Sequence, residues 1–377
     1  MTRRERLMAT LKGLPVDRPA VNFYELNGLD QNPSNPDPFN IYSDPSWAPL
    51  IDLTREKSDR IVMRVPQFVY PKQPLDERCH VNEFTDEKGA LHRITEINAD
   101  GRILRSHTRR EKDQDTTWSL EHLLKDEADL QAWLDLPSRE SGIGDFSGIL
   151  ETEAALGETG IVMIDYSDAL GIVAGMFSME DYTVLALTEP ELMRRALDRV
   201  QERLLREAED VAGNLPGRLW RIVGPEYADP PYLPPRLYEE YVTRYDKELV
   251  EIIHRHGGYA RIHQHGRSKD ILDLTLQTGC MAIDPIEPPP QGDVTLDYVR
   301  KRYGDRLVLF GNLEINDIEL LPTAEFEKKV YTALEEGVGG KGFVLMPSSC
   351  PFGRKLPDLT RDNYFKIIEV VEQYFGC

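Results

Sequence analysis

The chain predicts an α/β fold, a closed (β/α)8 barrel of the TIM type with an antiparallel β insertion near the N-terminus. Three observations carry that expectation. Beyond Leu120, short apolar runs alternate with amphipathic helical stretches, the rhythm of a parallel sheet. The repeated units are too many for a small open sheet. Each apolar run also ends in a polar or ionisable residue, as strands do where they open onto a barrel mouth.

Taken in order, Thr2 and Glu5 form a capping box that opens the first helix, and Gly13 closes it. Residues 19–24 read as a short buried strand ending at Glu25. A loop rich in Pro, Asn and Asp then spans 29–49, long enough to be a lid or an ordered arm. Between 60 and 110 the texture changes. The runs 60–65, 79–85, 91–97 and 102–108 are separated by Asp86-Glu87-Lys88-Gly89 and Asn98-Ala99-Asp100-Gly101, both hairpin turns with Gly where φ > 0 is needed. This stretch is expected to be a β-rich insertion, 60–110, standing outside the barrel strands.

Barrel strands follow at 161–165, 219–223, 259–263, 281–286, 307–311 and 342–346. Helices are expected between them. One carries Leu192, Ala196, Val200 and Leu204 on a single face. Another turns Leu237, Tyr241, Tyr245, Leu249 and Ile252 inward. The last presents Tyr364, Ile367, Ile368, Val371 and Tyr374. A single domain over 1–377 accounts for all of it.

The totals narrow the function. With 45 Lys and Arg against 65 Asp and Glu, the formal charge is −20, which argues against nucleic-acid and anionic-membrane partners. No stretch approaches the roughly 18 apolar residues of a membrane span, and the start lacks an apolar signal region. Cys79, Cys280, Cys350 and Cys377 are scattered and form no CxxC, so the expected compartment is the cytoplasm.

Chemistry concentrates at Tyr259-Ala260-Arg261-Ile262-His263-Gln264-His265-Gly266. Alternation along a strand puts Arg261, His263 and His265 on one face, so two imidazoles can close on one cation. An ordinary polar loop is the other reading of an isolated His-x-His. Reading the remaining strand ends gives Glu25, Asp165 with Asp168, Glu226, Glu287, Asn312 with Glu314, and Cys350. Two histidines, a cysteine and carboxylates match a catalytic zinc with three protein ligands and an open position: His263, His265 and Cys350. Glu226, Glu287 and Asp165 are the candidate catalytic carboxylates, and Glu25, Tyr227 and Asn312 the candidate substrate contacts. Glu287 leaves its strand into Pro288-Pro289-Pro290, a stiff mount from which it either overlooks the site or caps a helix or pairs with Arg267.

These residues resemble the uroporphyrinogen decarboxylase superfamily, in particular its branch related to corrinoid-dependent methyltransferases. Arg3-Arg4-Glu5-Arg6-Leu7 with Pro15-Val16-Asp17-Arg18-Pro19 is similar to the superfamily's N-terminal signature. His263-Gln264-His265-Gly266 stands where the methyltransferases carry His-x-Cys-Gly. Gly304-Asp305-Arg306 with Gly311-Asn312-Leu313-Glu314, and Gly342-Phe343-Val344-Leu345 leading to Cys350, resemble the later blocks. Two departures matter. The Arg-rich Arg-Gln-Ala-Gly-Arg-Tyr segment of the decarboxylases is replaced by Asn22-Phe23-Tyr24-Glu25-Leu26-Asn27-Gly28, which offers no cation to a porphyrinogen's carboxylates. His265 replaces a thiolate by a neutral imidazole, making a bound metal a stronger Lewis acid.

The resemblance implies a zinc-dependent methyltransferase that moves a methyl group between a small substrate and a corrinoid held by a partner protein. It also implies a homodimer. The alternatives are a decarboxylase that uses Asp165 or Glu25, and a non-catalytic corrinoid- or tetrapyrrole-binding protein.

Overall fold

The computed structural model describes residues 1–376, and Cys377 lies outside them. Eight parallel strands form the central sheet: β1 (Ala20–Val21), β2 (Arg60–Arg64), β3 (Gly160–Ser167), β4 (Leu219–Val223), β5 (Tyr259–Gln264), β6 (Ala282–Pro285), β7 (Val308–Leu313) and β8 (Phe343–Pro347). Pairing runs in chain order from β2 to β8, and β8 then pairs with β1. The ring is therefore ladder-bonded everywhere except the seam between β1 and β2. There Asp59 makes the join: its N–H donates to Val21 O at 2.6 Å, and Val21 N–H donates to its Oδ2 at 2.8 Å.

The strands are short and mostly apolar because both faces are covered, one by the barrel interior and one by helices. The helix Pro190–Asn214 buries Leu192, Ala196, Leu197, Val200, Leu204 and Ala208, a stripe at the 3.6-residue period. Fully burying one such leucine or valine is worth about 1.5–3 kcal/mol. Among the described residues no helix is long and apolar enough to cross a membrane.

The expected insertion needs its boundary corrected. Arg60–Arg64 is not part of it; it pairs in parallel with β3, from Arg60↔Gly160 to Arg64↔Ile164, and is the second barrel strand. Six residues are too few for periodicity to tell a barrel strand from a hairpin arm, and no helix follows directly to mark a βα unit. The antiparallel sheet consists of Cys79–Thr85, Leu91–Ala99, Arg102–Arg110 and Thr117–Glu121. Its turns carry Gly89 at φ 84° and Gly101 at φ 105°, as their sequences require. Chain returns to the barrel through Ile143–Asp145, paired with Gln67–Val69, and the helix Ser147–Leu156.

Candidate functional site

The C-terminal end of β5 delivers both histidines. Register places His263 beside Asp284 of β6, and the His263 ring Nδ1 lies 2.9 Å from Asp284 Oδ2. Asp284 also faces Arg261, whose Nε is 2.9 Å from Oδ1. Burial alone would raise the Asp284 carboxyl, but Arg261 and His263 outweigh it and hold the group down at about 2. One step beyond the strand, His265 turns back so that its Nε2 stands 3.0 Å from His263 Nε2. Its Nδ1 is 2.7 Å from Glu287 Oε1, while Glu287 Oε2 accepts from Gly266 N–H at 2.7 Å. Gly266 has φ 84°, which lets the chain reverse there without a Cβ penalty. Burial opposes charge on His265, yet the hydrogen bond and charge of Glu287 raise its pKa.

This arrangement fixes the tautomers. Each Nδ1 faces an ionised carboxylate and must carry a hydrogen, so in the neutral rings both Nε2 atoms present bare lone pairs. Two lone pairs 3.0 Å apart repel unless a proton or a cation lies between them. The carboxylate–imidazole brace on both rings is the outer support that metal-binding histidines use.

A second polar network crosses the barrel mouth. Asp165, expected at a strand end, lies within β3 and takes a two-pronged pair from Arg221, at 2.7 and 3.1 Å. Arg221 Nη1 also donates to Tyr24 Oη at 2.6 Å. Tyr24, at φ 56°, lays its ring over His263 with centroids 6.2 Å apart. Asp165 is thus engaged by an arginine.

Glu226 follows β4 and is fixed by Gly224 N–H, which donates to its Oε2 at 2.8 Å. Together with Tyr227, Tyr232, His265, Arg267 and Glu287 it lines a cavity of about 540 Å³. Of the sequence candidates, therefore, Glu226, Tyr227, His265 and Glu287 share one wall, and His263 adjoins it. Asn312 does not join them; it lines a separate cavity of about 120 Å³ with Glu314 and Lys329.

The expected ligand triad is corrected too. Cys350 Sγ lies 3.4 Å from Glu25 Oε2, on the β8–β1 side of the ring, whereas the histidines leave β5 across the mouth. Burial, then the Glu25 charge, push its thiol well up. Among the described residues no group of three or more His, Cys, Asp or Glu side chains is placed to hold a metal ion. Of the expected triad only His263 and His265 stand together, two imidazole donors 3.0 Å apart. Glu25 meets Cys350 rather than the cavity.

Sequence reasoning missed Asp284, Arg221 and Tyr24 as site members. The signal for Asp284 was available: a strand pairing in register with β5 puts one residue opposite His263, and Asp284 is the lone acid of its apolar run. Glu314 is buried with Oε1 unpartnered, and burial and Glu287 push it up to about 7.

The ring, its helices and a polar mouth define a (β/α)8 barrel with a candidate active site at its mouth. The family described as Uroporphyrinogen decarboxylase (URO-D) matches residues 172–374, and the chain belongs to it. No curated protein matches. Among solved structures, D-psicose 3-epimerase with D-tagatose from Clostridium cellulolyticum H10 is 11% identical, covering 60% of this chain and 83% of that one, with a TM-score of 0.35. D-psicose 3-epimerase in the presence of D-fructose is 10% identical over 62% and 92%, with a TM-score of 0.28. A putative fructose-1,6-biphosphate aldolase from Coccidioides immitis is 14% identical over 62% and 87%, with a TM-score of 0.26.

Proposed function

We propose that this protein is a metal-dependent methyltransferase of the URO-D family, moving a methyl group between a small methylated substrate and a corrinoid on a partner protein. The carrying observation is the His263–His265 pair, two facing Nε2 lone pairs braced by Asp284 and Glu287. His263 and His265 would hold a divalent cation, zinc being one that imidazole suits, and it would supply Lewis acidity to the substrate atom bearing the methyl group. Asp284 and Glu287 keep the Nδ1 protons in place, so the Nε2 atoms stay available. Glu226 stands on the cavity wall with one oxygen fixed by Gly224 N–H and the other open to substrate. Tyr227 and the prolines of 230–231 shape the wall and exclude water.

Arginine placement favours this reading over tetrapyrrole decarboxylation. Arg221 and Arg261 are both engaged with aspartates, and Arg267 is the arginine on the cavity wall. Many substrate carboxylates would find few cationic partners there.

The direct test combines metal analysis with transfer. Zinc-loaded protein is mixed with cob(I)alamin and a panel of O-, N- and S-methyl donors, and the cob(I)alamin absorption is followed. The expected result is bound zinc in the wild type, lost in His263→Ala and His265→Ala, with donor-dependent decay of the absorption. Equal metal content in all three proteins and no decay with any donor would sink the proposal.

A further inference from the structure

The cavity beside His265 carries two carboxylates, one arginine and two tyrosines. Glu226 and Glu287 line it with Tyr227 and Tyr232. Glu287 spends both oxygens on His265 and Gly266, whereas Glu226 uses one oxygen on Gly224 N–H and has no basic partner among the described residues. Behind the wall, Asp229 is fully buried with both carboxylate oxygens unpartnered, and it senses the charges of Glu226, Glu287 and Asp293. Arg267 lines the same cavity yet makes no ion pair with Glu226 or Glu287. The Tyr227 ring is held by an edge contact with the buried Tyr182, centroids 6.0 Å apart. A Glu226 oxygen left free of ion pairs, with a positioned tyrosine on the same wall, is a receptor for positive charge.

We propose that this cavity takes a small organic cation, a substituted ammonium group seated on Tyr227 and Tyr232 against the free oxygen of Glu226. The ammonium is a handle, and the His265 side of the cavity remains for the atom that exchanges the methyl group. What happens to the ligand rests on the methyl-transfer reading; the binding itself does not. Burial of a cation against a tyrosine face contributes through the ring quadrupole, and the Glu226 charge adds to it in a partly desolvated site.

Three probes of similar size but different charge test this: tetramethylammonium, tert-butanol and pivalate. Each is titrated calorimetrically into the full-length wild type, Glu226→Gln and Tyr227→Ala at constant ionic strength, after circular dichroism has confirmed the fold of each variant. Tetramethylammonium is expected to bind at least ~10-fold more tightly than either other probe, and Glu226→Gln to weaken it by about 10-fold. If Tyr227→Ala fails to fold, Glu226→Gln alone carries the test. Equal binding of the neutral probe, no binding of the cation, or cation binding indifferent to Glu226→Gln would each overturn the inference. Cation binding without methyl transfer from any donor keeps the receptor and removes the transfer, so the two failures are distinguishable.

Discussion

Asp168 and Asp246 meet in the interior beneath the turn Pro225–Ala228, and neither has a basic partner among the described residues. Asp168 Oδ1 caps a helix by accepting from Gly171 N–H at 2.6 Å, which leaves its other oxygen toward Asp246. Burial, then mutual repulsion and Glu226, raise Asp168 well above the ordinary range; burial lifts Asp246 to about 8. The pair therefore keeps a proton that the unfolded chain gives up near its ordinary value of 3.8. Since the folded state holds more protons across that window, stability is full at low pH and falls as pH rises from about 4 to about 8. The slope for one retained proton is about 1.4 kcal/mol per pH unit. Asp246→Asn keeps the shape and supplies a permanent donor to Asp168. Urea midpoints between pH 5 and 8.5 should fall in the wild type and fall less steeply in the variant, where burial still raises Asp168; parallel profiles would refute the shared proton. The sequence set Asp168 at the barrel mouth, whereas it is buried and caps a helix, and nothing marked Asp246 as its neighbour. An aspartate in a helix looks solvated until the fold buries it, whereas the His263–His265 pair showed through because alternation alone puts both on one face.

Single arginines also organise whole segments, as Arg354 does after β8. Its Nη2 donates to Pro38 O at 2.6 Å, its Nη1 to Asn40 O at 3.1 Å, and its Nε to Lys112 O at 3.0 Å. It thereby ties the arm at 29–49 and the end of the antiparallel insertion to the barrel's closing loop. The arm itself is stiffened from within: Asn32, Asn35, Asp37, Asn40 and Asp44 each accept a backbone N–H two residues on. Composition marked this stretch as a lid or an ordered arm, and the turn bonds of its Asn and Asp residues make it an ordered arm. What it could not show was the anchor, more than 300 residues away in the chain. Arg354→Ala should raise amide exchange in 36–44 and 110–116 while leaving the barrel strands protected. Each lost hydrogen bond is worth about 0.5–1.5 kcal/mol. Arg354→Lys should rescue little, because a point ammonium cannot serve three directions at once. Unchanged exchange in both segments would show that the arm and insertion hold themselves.

At the scale of the whole molecule, the eightfold ring has one weak place, the β1–β2 seam, and the N-terminal sequence blocks exist to close it. Arg6 Nη1 donates to Asp59 Oδ1 at 2.6 Å and Arg18 Nη1 to Asp59 Oδ2 at 2.8 Å, while Arg6 also pairs with Asp17. Asp59 is fully buried, and its backbone and side chain together bond β1. The Arg-rich opening and the Pro-Val-Asp-Arg-Pro segment thus act on ring closure rather than on substrate. The sequence showed the blocks but not their target, because Asp59 lies 41 residues beyond Arg18 with no local pattern to single it out. Removing one partner of a buried pair leaves the others uncompensated, at about 3–5 kcal/mol. Asp59→Ala should therefore lower unfolding stability by that order. Replacing the charges together, as Asp59→Leu with Arg6→Met and Arg18→Met, should recover part of the loss. Chemical denaturation followed by far-ultraviolet circular dichroism checks both. A seam that matters to the whole ring predicts one cooperative transition shifted to lower denaturant. A small early step with an unshifted main transition would instead mean that the first helix and β1 come away alone, and that the barrel holds without closure at Asp59.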